Sequence, residues 1–182
     1  RIISLMGIKL IMIPGVEADD VIGTLAEQAR QKKLDTVIST GDKDMTQLVC
    51  DNVSVVNTMS GELLDENGVM NKFGVGPELI TDYLALIGDK SDNVPGVDKV
   101  GPKTAVKWLN EYKNIEGIKK NAESIGGKVG ENLRSSIETL DLAHELVKIK
   151  TDVPLEITIE DLAVSESDAE QLSEVYKELE FN

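Results

Sequence analysis

The stretch TVISTGDKDMTQLVCDNVSVVN (36–57) reads as strand, acidic turn, short helix and strand. TVIST (36–40) is β-branched, and VSVVN (53–57) repeats that character after Asn52. Between them, Met45 to Val49 accommodates one brief helix. Toward the N-terminus, Asp20 to Lys32 carries Val21, Ile22, Leu25, Ala26 and Ala29 at helical spacing. KLIMI (9–13), closed by Pro14 and Gly15, is expected as a further buried strand. RIISLMG resembles the end of an amphipathic helix stopped by Gly7. Strands alternating with helices argue for an α/β layer with a partial parallel or mixed sheet.

From about residue 65 the pattern is helical throughout. Asp65 is placed to cap a helix through Lys72, and Pro77 to open another through Leu79, Ile80, Tyr83, Leu84 and Ile87. Gly101-Pro102 precedes a helix holding Ala105, Val106, Trp108 and Leu109. GGKVG (126–130) leads into a longer helix ending near Leu146. VKIKTDV (147–153) is expected as a late strand returning to the first sheet, and the chain closes on a capped acidic helix. The expected organisation is an α/β core from 1–64 and 147–182, with a helical region at 65–146.

With 182 residues and a net charge of −14, the chain is long enough for a sizeable core and acidic enough to argue at first against nucleic acid. The distribution weakens that objection. Residues 96–134 hold 8 Lys/Arg against 5 Asp/Glu, whereas residues 135–182 hold 3 against 13. The basic segment follows directly on the last acidic cluster. No apolar run approaches a membrane span, and no signal peptide is read at the start. Cys50 is alone, which excludes an internal disulfide and makes a reducing cytoplasm the default.

Seven acids fall in three clusters: Glu17, Asp19 and Asp20 in GVEADD, Asp42 and Asp44 in TGDKD, and Asp89 and Asp92 in GDKSDN. The first two clusters follow expected strands, where ligands of α/β sheets bind. Packed carboxylates repel, and a cation relieves them. Convergence of the three clusters would make a site for divalent metal, most simply two Mg2+ ions, and so phosphoryl-transfer or phosphodiester chemistry. Each cluster also has an ordinary structural reading. Asp19 and Asp20 suit a helix N-terminus, and the other two pairs suit capped turns.

NVPGVDKVGPKTAVKWL (93–109) places a Gly-rich turn between two helices. Lys99, Lys103 and Lys107 add positive charge near a helix start, which suits contact with a DNA backbone rather than with bases. A solvated helical corner is the plain alternative, and Trp108 and Leu109 are read as core. His144 is read as a surface or packing residue, and Cys50 as a small buried hydrophobe.

Taken in order, GVEADDVIGTLA, STGDKDMTQLV, NKFGV, LALIGDKSDNVPGV and VGPKTA closely resemble the 5′-nuclease domain of bacterial DNA polymerase I, within the wider flap endonuclease family. LVKIKTDVPLEI and YKELEF resemble the close of that domain, so the similarity covers essentially the whole chain. The resemblance implies a PIN-like α/β nuclease core with a helix–three-turn–helix DNA-binding region. It implies a 5′→3′ exonuclease and structure-specific flap endonuclease using two Mg2+ or Mn2+ ions in primer removal and DNA repair. Asp19 and Asp20 then resemble ligands of the ion that activates water. Asp42 and Asp44 resemble a bridge between direct and water-mediated contacts, Asp89 and Asp92 resemble holders of the second ion, and Glu17 joins the set. Gly96, Val97, Lys99, Val100, Gly101, Lys103, Thr104 and Lys107 resemble the DNA-gripping hairpin, with the carbonyls of Gly96, Val97 and Val100 around a K+ ion.

Implied partners are duplex or flap DNA, RNA–DNA primer junctions and the remainder of a DNA polymerase I, in a bacterial cytoplasm near the nucleoid, with no membrane. Complete members carry an earlier strand with further carboxylates and a basic helical arch. The expectation for the isolated 182 residues is therefore weak activity or none. A non-catalytic duplex-binding module and a PIN-type RNase are the other readings.

Overall fold

The computed structural model describes residues 1–90 and 92–181. Its sheet has three strands: β1 (Thr36–Ser39), β2 (Val53–Asn57) and β3 (Glu62–Leu64), in that order. β1 and β2 run parallel with Ile38 opposite Val55, and β2 and β3 antiparallel with Val56 opposite Leu63. Period-two alternation puts Ile38, Val53, Val55 and Leu64 on one buried face. The amphipathic helix α2 (Ala18–Gln31) buries Val21, Leu25, Ala26 and Ala29. α1 (Ile2–Leu5) ends where Gly7 turns left-handed at φ +76°, as its sequence implied.

The helical half begins with α3 (Glu66–Phe73), where Asp65 accepts the Gly68 N–H at 2.7 Å and Gly74 closes the helix in the left-handed region. A 3-10 turn at Pro77–Leu79 runs into α4 (Ile80–Ile87). After the hairpin come α5 (Pro102–Tyr112), α6 (Ile115–Lys120), α7 (Gly127–Ser135), α8 (Ile137–Val147) and, after a further 3-10 turn at Ile159–Leu162, α9 (Ala169–Glu178). One apolar core runs from Ala26 through the sheet and α4 to Ile149.

α4 packs against α5 and α8, and a polar joint ties the group. Buried Asp82 accepts the Ile115 N–H at 2.9 Å, and its other oxygen lies 2.8 Å from His144 Nε2. His144 is thus a packing residue. Asp82→Ala would leave the Ile115 N–H without its partner at a buried helix start. A loss of about 2–3 kcal/mol is expected, measured by urea denaturation. A value under about 0.5 kcal/mol would remove this joint from the stability of the fold.

Two expected strands are absent. KLIMI carries no ladder: no described strand pairs with it, and Leu10 and Met12 are 54% and 83% exposed. An apolar run makes a strand only where a neighbour takes up its backbone groups. VKIKTDV lies across α2 instead of in the sheet. Its backbone donors are taken by side chains: Lys150 N–H by Asp20, Ile149 N–H by Gln47 and Val153 N–H by Thr24. Gly23 permits this crossing, because a Cβ there would stand 2.5 Å from Ile149 Cγ2 and 2.9 Å from the Lys150 carbonyl. The expected long helix after GGKVG is two helices, broken at Ser136.

Candidate metal centre and nuclease site

Four structural devices bring the acidic clusters together. Glu17 stands at the N-cap of α2, so Asp19 and Asp20 occupy its first turn. β1 ends beneath the Thr40–Asp44 turn. There the Thr40 hydroxyl accepts the Asp42 N–H at 3.0 Å and Asp42 accepts the Asp44 N–H at 2.9 Å. Asp44 then starts the 3-10 turn Asp44–Leu48. The fourth device is the loop after α4, which folds back through the Asp89–Val94 bridge and a Val97 N–H bond to the Leu86 carbonyl at 2.9 Å.

Six of the seven acids, Glu17, Asp19, Asp20, Asp42, Asp44 and Asp92, line one cleft of about 310 Å3. Asp89 sits behind it, 8% exposed, and one oxygen each of Asp44, Asp89 and Asp92 lies within 4.8 Å of the others. The opposite wall is Leu146, Val147, Lys148 and Ile149. Two of the structural readings hold beside this: Asp19 and Asp20 occupy the first turn of α2 and Asp42 caps its turn, while all three line the cleft.

The electrostatics are those of crowded carboxylates. Burial first, then the charges of Asp42, Glu17, Asp20 and Asp92, push the Asp19 carboxyl above its ordinary value. Asp44 is pushed up to about 6, mainly by burial. The Lys43 charge opposes that shift, and Asp42, Asp89 and Asp92 reinforce it. Burial would lower Lys43, but its bond to Asp89 and the surrounding acids outweigh this and raise it. Asp44 Oδ1 is buried without a hydrogen-bond partner, the kind of orphan that a cation satisfies. Oxygen donors alone, clustered and partly desolvated, fit a hard divalent ion.

Sequence reasoning missed Gln47 and Lys43. Gln47 donates to the Val147 carbonyl and accepts from Thr81 and the Ile149 N–H, which fixes the cleft's far wall. Beside a local bond to the Asp44 carbonyl, these partners lie 34 to 102 residues away, so no local signal marks the role. Lys43 was visible between Asp42 and Asp44, but its bond to Asp89 was not.

The hairpin forms as expected between α4 and α5. Val94, Val97 and Val100 are buried with Trp108 and Leu109, Gly101 caps α5, and Lys99, Lys103 and Lys107 are exposed. Thr104 and Gly96 are half-buried. Asn132 on α7 braces the turn through the Asp98 carbonyl at 2.8 Å.

A family profile described as "5'-3' exonuclease, C-terminal SAM fold" matches residues 75–170, and one described as "5'-3' exonuclease, N-terminal resolvase-like domain" matches residues 1–74. The chain belongs to the 5′-3′ exonuclease family. Among relatives of this 5′-3′ exonuclease chain, the 5′-3′ exonuclease of Aquifex aeolicus is 46% identical over 180 residues, covering 99% of the chain and 61% of the relative. DNA polymerase I of Pseudomonas aeruginosa is 45% identical over 188 residues, covering 97% of the chain and 20% of the polymerase. The chain thus spans about three fifths of one relative and one fifth of the other. Bacteriophage T5 D15, a flap endonuclease, superposes with a TM-score of 0.70 at 26% identity over 75% of this chain and 52% of its own. That protein is known with metal ions and in a pseudo-enzyme–product complex with DNA and metal ions. The α/β core with flanking helices is therefore the 5′-nuclease fold, with a small mixed sheet.

Proposed function

We propose that this chain is the metal-dependent nuclease part of a protein that removes 5′ ends and flaps from DNA, as in a DNA polymerase I. The observation that carries the reading is the convergence of six carboxylates on one cleft, with Asp89 behind them and Asp44 Oδ1 lacking a hydrogen-bond partner. Asp44, Asp89 and Asp92 would hold one divalent ion, and Asp19, Asp20, Asp42 and Glu17 would serve a second, Mg2+ or Mn2+. Such ions lower the pKa of bound water and stabilise a leaving oxygen. The chain's own residues do the positioning. Asp20 ties the cleft wall at Lys150 to α2, Gln47 ties α4 to that wall, and Leu146 and Val147 give the cleft an apolar side.

The hairpin supplies the grip. Lys99, Lys103 and Lys107 stand exposed at the turn and first face of α5, placed for backbone phosphates of a duplex, and the Gly96, Val97 and Val100 carbonyls would hold a K+ ion there. The T5 protein's complex with DNA and metal ions supports both halves of this reading.

The test is a 5′-flap duplex incubated with the full-length protein and Mg2+, with and without a chelator. Cleavage near the junction that the chelator abolishes, and that Asp42→Ala also abolishes while the fold is retained, is expected. Cleavage that survives the chelator overturns the metal reading. Salt-dependent DNA binding with no cleavage at all would leave a duplex-binding module in which the acidic cleft is silent.

A further inference from the structure

A cation already occupies the acidic cluster. The Lys43 ammonium donates to Asp89 Oδ2 and stands 3.6 Å from Asp44 Oδ1. At 3.6 Å the second contact is Coulombic without being a hydrogen bond, so the buried Asp44 oxygen keeps no hydrogen-bond partner. Asp44 and Asp89 are two of the three acids whose oxygens lie within 4.8 Å of one another.

We propose that Lys43 is an internal counter-cation that a divalent ion must displace, so that this lysine sets the metal affinity of the site. The inference rests on the metal-site reading above and adds a residue that the resemblance does not assign. Its logic is one of competition. Three carboxylates this close need positive charge, and an ammonium supplies one unit from one side of the cluster. A divalent ion takes oxygen ligands at roughly 2.0–2.6 Å and can engage all three carboxylates, including the orphan oxygen. The two cations repel, and both cannot sit against Asp89 and Asp44.

Displacement needs no backbone movement. The Thr46 N–H and hydroxyl both bond the Lys43 carbonyl, at 3.1 and 2.6 Å, which anchors the main chain at the start of the 3-10 turn. The side chain is 42% exposed on a flexible four-carbon stem, so its head can swing into water. An arginine would behave differently. Its planar fork pairs with carboxylates through two parallel bonds and yields less readily.

Mn2+ titration, followed by the electron paramagnetic resonance signal of free Mn2+ at low salt, tests the idea. Wild type, Lys43→Met, Lys43→Arg and Asp89→Asn are compared, with thermal melting of each to confirm folding. Lys43→Met is expected to bind Mn2+ about five- to tenfold more tightly than wild type, in the range of ordinary coupling effects. Lys43→Arg is expected to bind several-fold more weakly, and Asp89→Asn to lose binding. Metal-free Lys43→Met should melt below wild type and gain more from Mn2+. If Lys43→Met binds Mn2+ equally or more weakly while Asp89→Asn abolishes binding, the metal site stands and the displacement role is overturned, leaving Lys43 as a strut for Asp89. If wild type and Lys43→Met both take up no Mn2+, the metal-site reading falls and this inference with it.

Discussion

Asp44→Asn is expected to raise the melting temperature of the metal-free protein at pH 7.5 by roughly 5–10 °C, while removing its response to divalent ions. The Asp44 carboxyl is held at about 6, above the ordinary 3.8, by burial and then, against the opposing Lys43 charge, by Asp42, Asp89 and Asp92. A folded-state value above the unfolded one means that the folded protein holds this proton more tightly. The stability linked to it is complete below pH 4 and is lost as pH rises through 6. Above pH 6 the ionised group costs on the order of 2–3 kcal/mol, a cost that asparagine removes. The gain should therefore shrink below pH 5 and vanish near pH 4. In the full-length protein the same variant should cleave a 5′ flap at least about 1,000-fold more slowly, the scale of several kcal/mol of transition-state stabilisation. Calorimetry at pH 4.5 and 7.5, with and without Mn2+, reads the first effect, and a flap assay the second. A variant that melts like wild type at both pH values and still gains from Mn2+ takes Asp44 out of the site.

Stability lost at a functional cleft and regained on binding is the expected signature of clustered carboxylates. It explains why the seven acids, equivalent in the sequence, are unequal in the structure. Asp89 is buried and Asp44 nearly so, while Glu17, Asp42 and Asp92 form an exposed rim. Asp20 and Asp42 each give one oxygen to a backbone N–H while lining the cleft.

What could be read in advance follows the range of the interactions. β2 has the limits that its valines implied, Asp65 caps α3, and Gly7 ends α1, because each depends on residues within one turn or one strand. β3 escaped notice since only three residues pair and only Leu64 is buried. KLIMI is a short apolar run and VKIKTDV an alternating one, and nothing local tells either from a strand that finds a partner. The second is set by Asp20, Thr24, Gln47 and Gly23, all more than 100 residues away. The acidic turns were each visible. Their convergence, and the Lys43–Asp89 contact within it, exist only once α4 and its returning loop are packed beside the 3-10 turn at Asp44–Leu48.

That returning loop hangs on two glycines, and Gly96→Ala is expected to damage stability and metal binding together. A Cβ on Gly96 would stand 2.4 Å from the Ile87 carbonyl carbon and 2.5 Å from the Gly88 nitrogen, which are backbone atoms that no rotamer can move. Gly88 faces it at φ +71°, and its own Cβ would stand 2.4 Å from the Gly96 nitrogen. The loop must lift from the end of α4, straining the Asp89–Val94 bridge and the Val97–Leu86 bond. Overpacking of this kind costs about 3 kcal/mol, so the melting temperature should fall by roughly 6–12 °C. Asp89 and Asp92 lie inside the displaced segment, so Mn2+ affinity should drop at least tenfold in whatever protein remains folded. Gly101→Ala, where a Cβ meets nothing within 4 Å, is the control and should cost under about 1 kcal/mol as a helix cap. Equal melting temperatures for the two variants would show that the loop yields freely, and that the placement of Asp89 and Asp92 does not depend on the backbone contact between Gly88 and Gly96.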